Sequence, residues 1–95
     1  MTTGPDTDSK QKNEYYVYIL HCIDDTLYTG ITNDLKHRLS MHNSGKASKY
    51  TKSRLPVNYV YIESGFSKSD ALKREYQIKH MSRKQKLALI SKADI

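Results

Sequence analysis

Two strand-like segments lie close together early in the chain, and they constrain the fold more than any other feature. Tyr15 to Cys22 (YYVYILHC) is aromatic and β-branched, the composition of a pleated, half-buried surface. Leu27 to Ile31 (LYTGI) follows after the turn-like Asp24-Asp25-Thr26. So short a connection returns the chain on itself as an antiparallel hairpin. A loop of Asp24, Asp25 and Thr26 sets Cys22 opposite Tyr28. Side chains alternate along a strand, so any register whose paired residue numbers sum to an even value puts Tyr18 and Tyr28 on one face.

The remaining elements follow from caps and periodicity. Thr32-Asn33-Asp34 offers a helix N-cap, and Leu35 to His42 carries Leu35 and Leu39 one turn apart. Asn43-Ser44-Gly45 ends that helix. Lys46 to Arg54 (KASKYTKSR) is a loop or short helix, closed by Pro56. Val57 to Glu63 reads as a third strand with Val57, Tyr59 and Tyr61 on one face, and Gly65 breaks it. Ser67 with Asp70 forms a capping box for a helix to about His80, and Ser82 with Gln85 opens a last helix through Ile90. The order β-β-α-loop-β-α-α predicts an α+β domain: a three-stranded antiparallel sheet flanked by helices. Residues 1–13 are polar and aperiodic and read as a disordered tail, 14–91 as one domain, and 92–95 as a short C-terminal tail.

Composition narrows the function classes. A length of 95 residues suits one domain, and 37% hydrophobic with 27% charged residues suits a globular chain. No apolar run approaches a membrane span and no apolar signal core opens the chain, so a cytoplasmic protein without a membrane partner is expected. The single cysteine, Cys22, excludes an intrachain disulfide and reads as a small buried hydrophobe. Zinc-type Cys/His spacing is absent. The formal charge is +6, and its placement is informative. Residues 34–54 hold six bases (Lys36, Arg38, Lys46, Lys49, Lys52, Arg54) against Asp34 alone, and residues 68–92 hold eight more. Such a distribution fits a nucleic-acid footprint, and equally a generally basic surface.

Several residue types then stand out. The chain has eight Tyr, one Phe and no Trp, so bulk is supplied with hydroxyls that can reach phosphate or water. Ordinary cross-strand packing explains the same tyrosines. Arg38 and His42, at i and i+4, share a helix face beside Leu35 and Leu39. A planar cation there suits an anion, and His42 suits a base near neutral pH. Glu75 falls between Ala71 and Ile78 on the stripe that must face the core. A carboxylate so placed is either paired, with Lys79 as the nearest candidate, or a ligand for Mg²⁺, which needs few protein oxygens.

Tyr16-Val17-Tyr18, then Tyr28-Thr29-Gly30, then Arg38, then Glu75 together resemble the GIY-YIG nuclease superfamily. The spacing from Gly30 to Arg38 is similar to that of repair and homing endonucleases. The stretches Tyr28–Asn43, Ser44–Pro56 and Ala71–Ile90 resemble the small stand-alone YhbQ-like branch. The resemblance spans about residues 14–91. It implies a metal-dependent endonuclease that hydrolyses nucleic-acid phosphodiesters, with DNA the expected substrate and DNA repair a setting. Carried over by position, Tyr18 and Tyr28 position or activate water, and Arg38 stabilises charge on the phosphate. His42 assists as base or hydrogen-bond partner, and Glu75 holds one Mg²⁺ or Mn²⁺. The sequence departs from the family pattern at Tyr16, Thr29 and Ile31, where the motifs have Gly, a different middle residue and Lys. The basic segment with Tyr50 adds a nucleic-acid-binding set, Lys46, Lys49, Tyr50, Lys52 and Arg54, by phosphate contacts and stacking. A binding module of the same fold without turnover is the alternative, and a carboxylate that repels phosphate argues against it. An adaptor whose basic helices grip an acidic protein is a third reading, and a protein partner is possible but not indicated.

Overall fold

A computed structural model describes residues 14–93, so the N-terminal segment read as a tail and the last two residues lie outside the described residues. The elements run β1 (Tyr15–Cys22), β2 (Leu27–Thr32), α1 (Leu35–Asn43), α2 (Lys49–Lys52), β3 (Val57–Phe66), α3 (Lys68–Lys79) and α4 (Arg83–Ala93). The strands form one antiparallel sheet in the order β2-β1-β3. This is the α+β architecture expected from the hairpin-first order. The last helix continues to Ala93, past the Ile90 end read from periodicity and into the expected C-terminal tail.

The central strand carries a core on both of its faces, which is why Val17 to Leu20 is an unbroken buried run. Val17 and Ile19 pack with Ala71 and Ile78 of α3 and with Leu89 and Ile90 of α4. Tyr18, Leu20 and Cys22 pack on the opposite face with Val57, Leu39 of α1, Leu55 and Tyr59. Cys22 is fully buried, as a small hydrophobe would be. Among the described residues, no helix is long and apolar enough to cross a membrane.

Local chemistry explains where each helix starts and stops. The Asp34 carboxylate accepts from the His37 amide at 3.1 Å and opens α1. At its other end Gly45, with φ +77°, donates to the His42 carbonyl while Lys46 donates to Met41, both at 3.0 Å. This pair of bonds in a left-handed turn is a Schellman stop. Ser67 accepts from the Asp70 amide to open α3. Ser82 and Gln85 cap α4 reciprocally, with bonds of 2.9 and 3.1 Å.

Three local readings of the strands are corrected. The hairpin loop is Ile23-Asp24-Asp25, closed by the Cys22 amide on the Thr26 carbonyl at 2.9 Å. Asp25 takes φ +66°, and the Asp24 carboxylate accepts from both the amide and the hydroxyl of Thr26, so the turn forms one residue earlier. The register therefore places Leu20, and not Cys22, opposite Tyr28, with Tyr18 opposite Gly30. The sum stays even, and Tyr18 and Tyr28 do share a face. In β3 the register slips between Tyr59 and Tyr61, leaving Val60 as an extra residue. That bulge turns Tyr61 to the α3 side, whereas Val57 and Tyr59 stay on the α1 side. Gly65, with φ +86°, does not end β3 but sits at a second bulge, and pairing resumes at Phe66.

Candidate active site

Gly30 lets Tyr18 lie flat across the neighbouring strand. A Cβ at Gly30 would stand 2.5 Å from the Tyr18 hydroxyl oxygen and 2.6 Å from Cζ. The Tyr18 ring is 2% exposed and packs edge-on against Tyr59. Its hydroxyl reaches Nε2 of His42 at 2.9 Å, and Nδ1 of the same imidazole meets the Thr51 hydroxyl at 2.9 Å. Tyr28 sets its ring edge-on to His42 at 5.4 Å between centroids. Arg38, one turn before His42 on α1, lines the same space.

These side chains wall a cleft of about 200 Å³, together with Gly30, Ile31, Ala47, Leu72 and Glu75. Glu75 arrives from α3, on the other layer of the molecule. Its neighbour Arg74 fixes that helix to β3 through a bidentate pair with Glu63, both bonds 2.8 Å. The Tyr61 hydroxyl also donates to Glu63. With Ala71 and Ile78 fully buried, the helix has little freedom to rotate, and Glu75 is directed to the rim where α3 meets β2. Its side chain is 18% exposed and pairs with Lys79 at 3.3 Å. The Lys79 ammonium also lies 6.0 Å from the Tyr28 ring centre. The ion pair read from spacing is thus present, with Glu75 lining the cleft and Lys79 at its rim.

Burial sets the protonation states. It pushes the Tyr18 phenol well above its ordinary value of 10, against the opposing pull of the Arg38 charge. It lowers His42 to about 4, and Arg38 acts in the same direction. Tyr59, whose hydroxyl donates to the Leu35 carbonyl at 2.7 Å, is raised to about 12 by burial. At neutral pH the cleft therefore holds a phenol beside a neutral imidazole, with Arg38 as a fixed cation. Among the described residues Arg38 has no carboxylate within 4.0 Å, so its guanidinium is open to an anion.

All five residues singled out for chemistry, Tyr18, Tyr28, Arg38, His42 and Glu75, line this one cleft. The basic set divides. Lys46, Lys49 and Lys52 line a shallow groove that shares Ala47 with the cleft. Tyr50 instead stacks on Tyr28 at 5.7 Å, and Arg54 lies 4.0 Å over the Tyr50 ring. Arg54 also donates to the Tyr50 carbonyl at 2.8 Å, and its Nε lies 3.0 Å from Asp24, close enough for charge attraction but poorly aligned for a hydrogen bond. Thr51 and Gly30 were not picked out as site residues. Thr51 is fully buried in a segment of lysines, and an uncharged residue between Lys49 and Lys52 was its one visible sign.

Fold and cleft together define a small α+β domain with two tyrosines, an arginine, a histidine and a glutamate around one opening. Residues 14–88 match the GIY-YIG catalytic domain family, and the chain belongs to it. The UPF0213 protein OB0043 of Oceanobacillus iheyensis is 51% identical over 77 residues, covering 81% of this chain and 90% of the relative. The solution structure of the UPF0213 protein BH0048 from Bacillus halodurans is 45% identical with a TM-score of 0.53, covering 81% of this chain and 82% of that one. The solution structure of EF2693 from E. faecalis is 35% identical with a TM-score of 0.59, covering 88% and 90%. The chain is thus similar to the UPF0213 proteins, small stand-alone members of the GIY-YIG family.

Proposed function

We propose that this protein is a metal-dependent endonuclease that hydrolyses nucleic-acid phosphodiester bonds, with DNA as the substrate. The observation that carries the reading is the convergence of Tyr18, Tyr28, Arg38, His42 and Glu75, from both layers of the fold, on one cleft.

Each side chain has a role that its surroundings support. Arg38 faces the phosphate and neutralises charge as the pentacovalent oxygens develop it. The Tyr18 oxygen takes a proton from the attacking water as its own proton passes to Nε2 of His42. Neither group suffices separately, because a raised phenol does not ionise near neutrality. A neutral imidazole 2.9 Å away supplies the acceptor, and the incoming phosphate charge favours the imidazolium that results. Tyr28, walled by His42 and Tyr50, orients the water or a phosphate oxygen from the other side of the opening.

Glu75 is the single carboxylate lining the cleft, and the described residues hold no cluster of three or more metal-ligating side chains. That donor set fits a hard divalent cation such as Mg²⁺ or Mn²⁺, which keeps most of its waters and needs one protein oxygen. When bound, such a cation would supply Lewis-acid stabilisation of the phosphate and a lowered water pKa. The groove of Lys46, Lys49 and Lys52 carries the neighbouring backbone phosphates.

Cleavage of flapped, branched, single-stranded and duplex DNA and RNA, with Mg²⁺, Mn²⁺ or a chelator, tests the proposal. Metal-dependent cutting of at least one DNA substrate, lost in Tyr18→Phe, is the expected result. Binding without cutting under every condition would make the domain a nucleic-acid-binding module instead.

A further inference from the structure

Histidine acts as a proton acceptor only through the ring nitrogen that carries no hydrogen. In a buried imidazole, the partner of the opposite nitrogen decides which one that is. His42 is 1% exposed, and its two ring nitrogens have one protein partner each: Tyr18 at Nε2 and Thr51 at Nδ1, both at 2.9 Å.

The Thr51 side points to the direction. Thr51 is fully buried, and its hydroxyl also lies 3.4 Å from the carbonyl of Ser48, the N-cap of α2. A carbonyl only accepts, so this contact, although long for a hydroxyl hydrogen bond, is one that only the Thr51 proton can fill. The Thr51 lone pairs are left for a donor, and Nδ1–H is the donor within reach. On the Tyr18 side, His42 is the sole hydrogen-bond partner of the phenol among the described residues. The phenol proton thus has one protein acceptor, Nε2 of His42, and reaches it only when that nitrogen is bare. Both ends of the chain favour the same tautomer.

We propose that Thr51 is a positioning residue that holds His42 as the Nδ1–H tautomer, keeping Nε2 free to accept the Tyr18 proton. The inference deepens the nuclease reading and rests on it for its catalytic meaning. Its geometric content concerns a single proton and stands whether or not the protein cuts nucleic acid. Thr51 touches neither the cleft nor any reacting atom, for it is absent from the cleft lining. It acts through His42, as a carboxylate or carbonyl orients the base of a hydrolytic triad.

The local fold explains how a residue nine positions away reaches the imidazole. Gly45 turns the chain sharply off α1, and Ser48 accepts from the Tyr50 amide at 3.0 Å to start the four-residue α2. That single turn aims Thr51 inward while Lys49 and Lys52 stay exposed. The groups facing His42 include Tyr18 from β1, Tyr28 from β2 and Arg38 from its own helix, and Glu75 of α3 lines the same cleft. None of them offers Nδ1 an alternative acceptor.

The test reads the tautomer directly. Long-range ¹⁵N–¹H correlation spectra of the full ¹⁵N-labelled chain near pH 7 distinguish protonated from bare ring nitrogens. Wild type and Thr51→Ser should show His42 with hydrogen on Nδ1 alone. Thr51→Val keeps the shape, removes the acceptor and should shift His42 towards the Nε2–H form. In the cleavage assay Thr51→Val should lose about 10²–10⁴ in kcat, the range of a general base, with KM little changed. Thr51→Ser should recover most of that loss. An Nε2–H signal in wild type overturns the proposal even if Thr51→Val fails to fold. So does Thr51→Val that retains the Nδ1–H pattern, or one that changes tautomer and still cuts at the wild-type rate. A protein that cuts nothing would refute the nuclease reading and leave the spectrum to decide the tautomer.

Discussion

Gly30→Ala should damage both stability and catalysis, because one methyl group would occupy the place of the Tyr18 ring. The Gly30 backbone is not in the left-handed region, so alanine brings no strain of its own and the effect is steric. The new Cβ would lie 2.5 Å from the hydroxyl oxygen and 2.6 Å from Cζ. Carbon atoms pack at about 3.5–4.0 Å, so Tyr18 must withdraw by roughly 1 Å. It is 2% exposed and held against Tyr59 and His42, so there is little room to retreat. Overpacking of this kind costs about 1–3 kcal/mol. If the ring moves instead, its 2.9 Å bond to His42 breaks and a buried nitrogen loses its partner, which costs about 1–3 kcal/mol as well. The two losses are alternatives, so about 1–3 kcal/mol is expected, a fall in Tm of roughly 5–20 °C for a domain of this size. A displacement of about 1 Å at a reacting group also lowers turnover by about 10². Thermal melting by circular dichroism and cleavage well below both transitions measure the two effects. Tyr18→Leu in the Gly30→Ala background should recover stability beyond the sum of the single changes, but not activity. Gly30→Ala that melts within 1 °C of wild type and cuts normally would refute this packing account.

Other consequences follow from the charges. Because the folded pKa of His42, about 4, lies below its unfolded value near 6.5, stability should fall as pH drops from 6.5 towards 4, by on the order of 3 kcal/mol. His42→Asn should flatten that part of a pH–melting curve, and an unchanged slope would contradict a buried neutral imidazole. Glu63 is held below the usual carboxylate range, chiefly by Arg74, so its stabilisation is present above its unfolded pKa and lost as pH falls through the folded one. Glu63→Gln should lower stability by about 1–3 kcal/mol near neutrality, with less loss in acid, as chemical denaturation at two pH values would show. Replacing Lys46, Lys49 and Lys52 by glutamine should weaken nucleic-acid binding across sequences and reduce the slope of log affinity against log salt by about 2–3, measured by fluorescence anisotropy.

The parts of this molecule set by short-range chemistry were legible in the chain. The hairpin, the caps at Asp34, Ser67 and Ser82, and the Gly45 stop each depend on residues a few positions apart. The place of Glu75 was also legible, because helical periodicity puts it between Ala71 and Ile78, and both prove fully buried. What could not be read depends on contacts between distant segments. The Val60 bulge, which sends Tyr61 and Tyr59 to opposite faces, leaves no local mark in an alternating run. Asp25 in a left-handed turn moved the hairpin loop by one residue, where the sequence offered no glycine to announce it. Thr51 gains its meaning only from His42, and the stack of Tyr50 on Tyr28, with Arg54 over Tyr50, forms only once β2 and α2 meet.

The central claim is that Glu75 serves the reaction and not the fold, and one variant separates the two. Glu75→Gln keeps shape and helix propensity and removes the charge that attracts a divalent cation. Its ion pair with Lys79 is at the rim, with the lysine 47% exposed, so losing it should cost less than about 1 kcal/mol. Melting temperature, nucleic-acid affinity and single-turnover cleavage measured on one preparation give the comparison. The account predicts a nearly unchanged Tm, affinity equal to or above wild type, and turnover reduced by about 10² or more. A protein that melts much earlier yet cuts at the wild-type rate per folded molecule would contradict it.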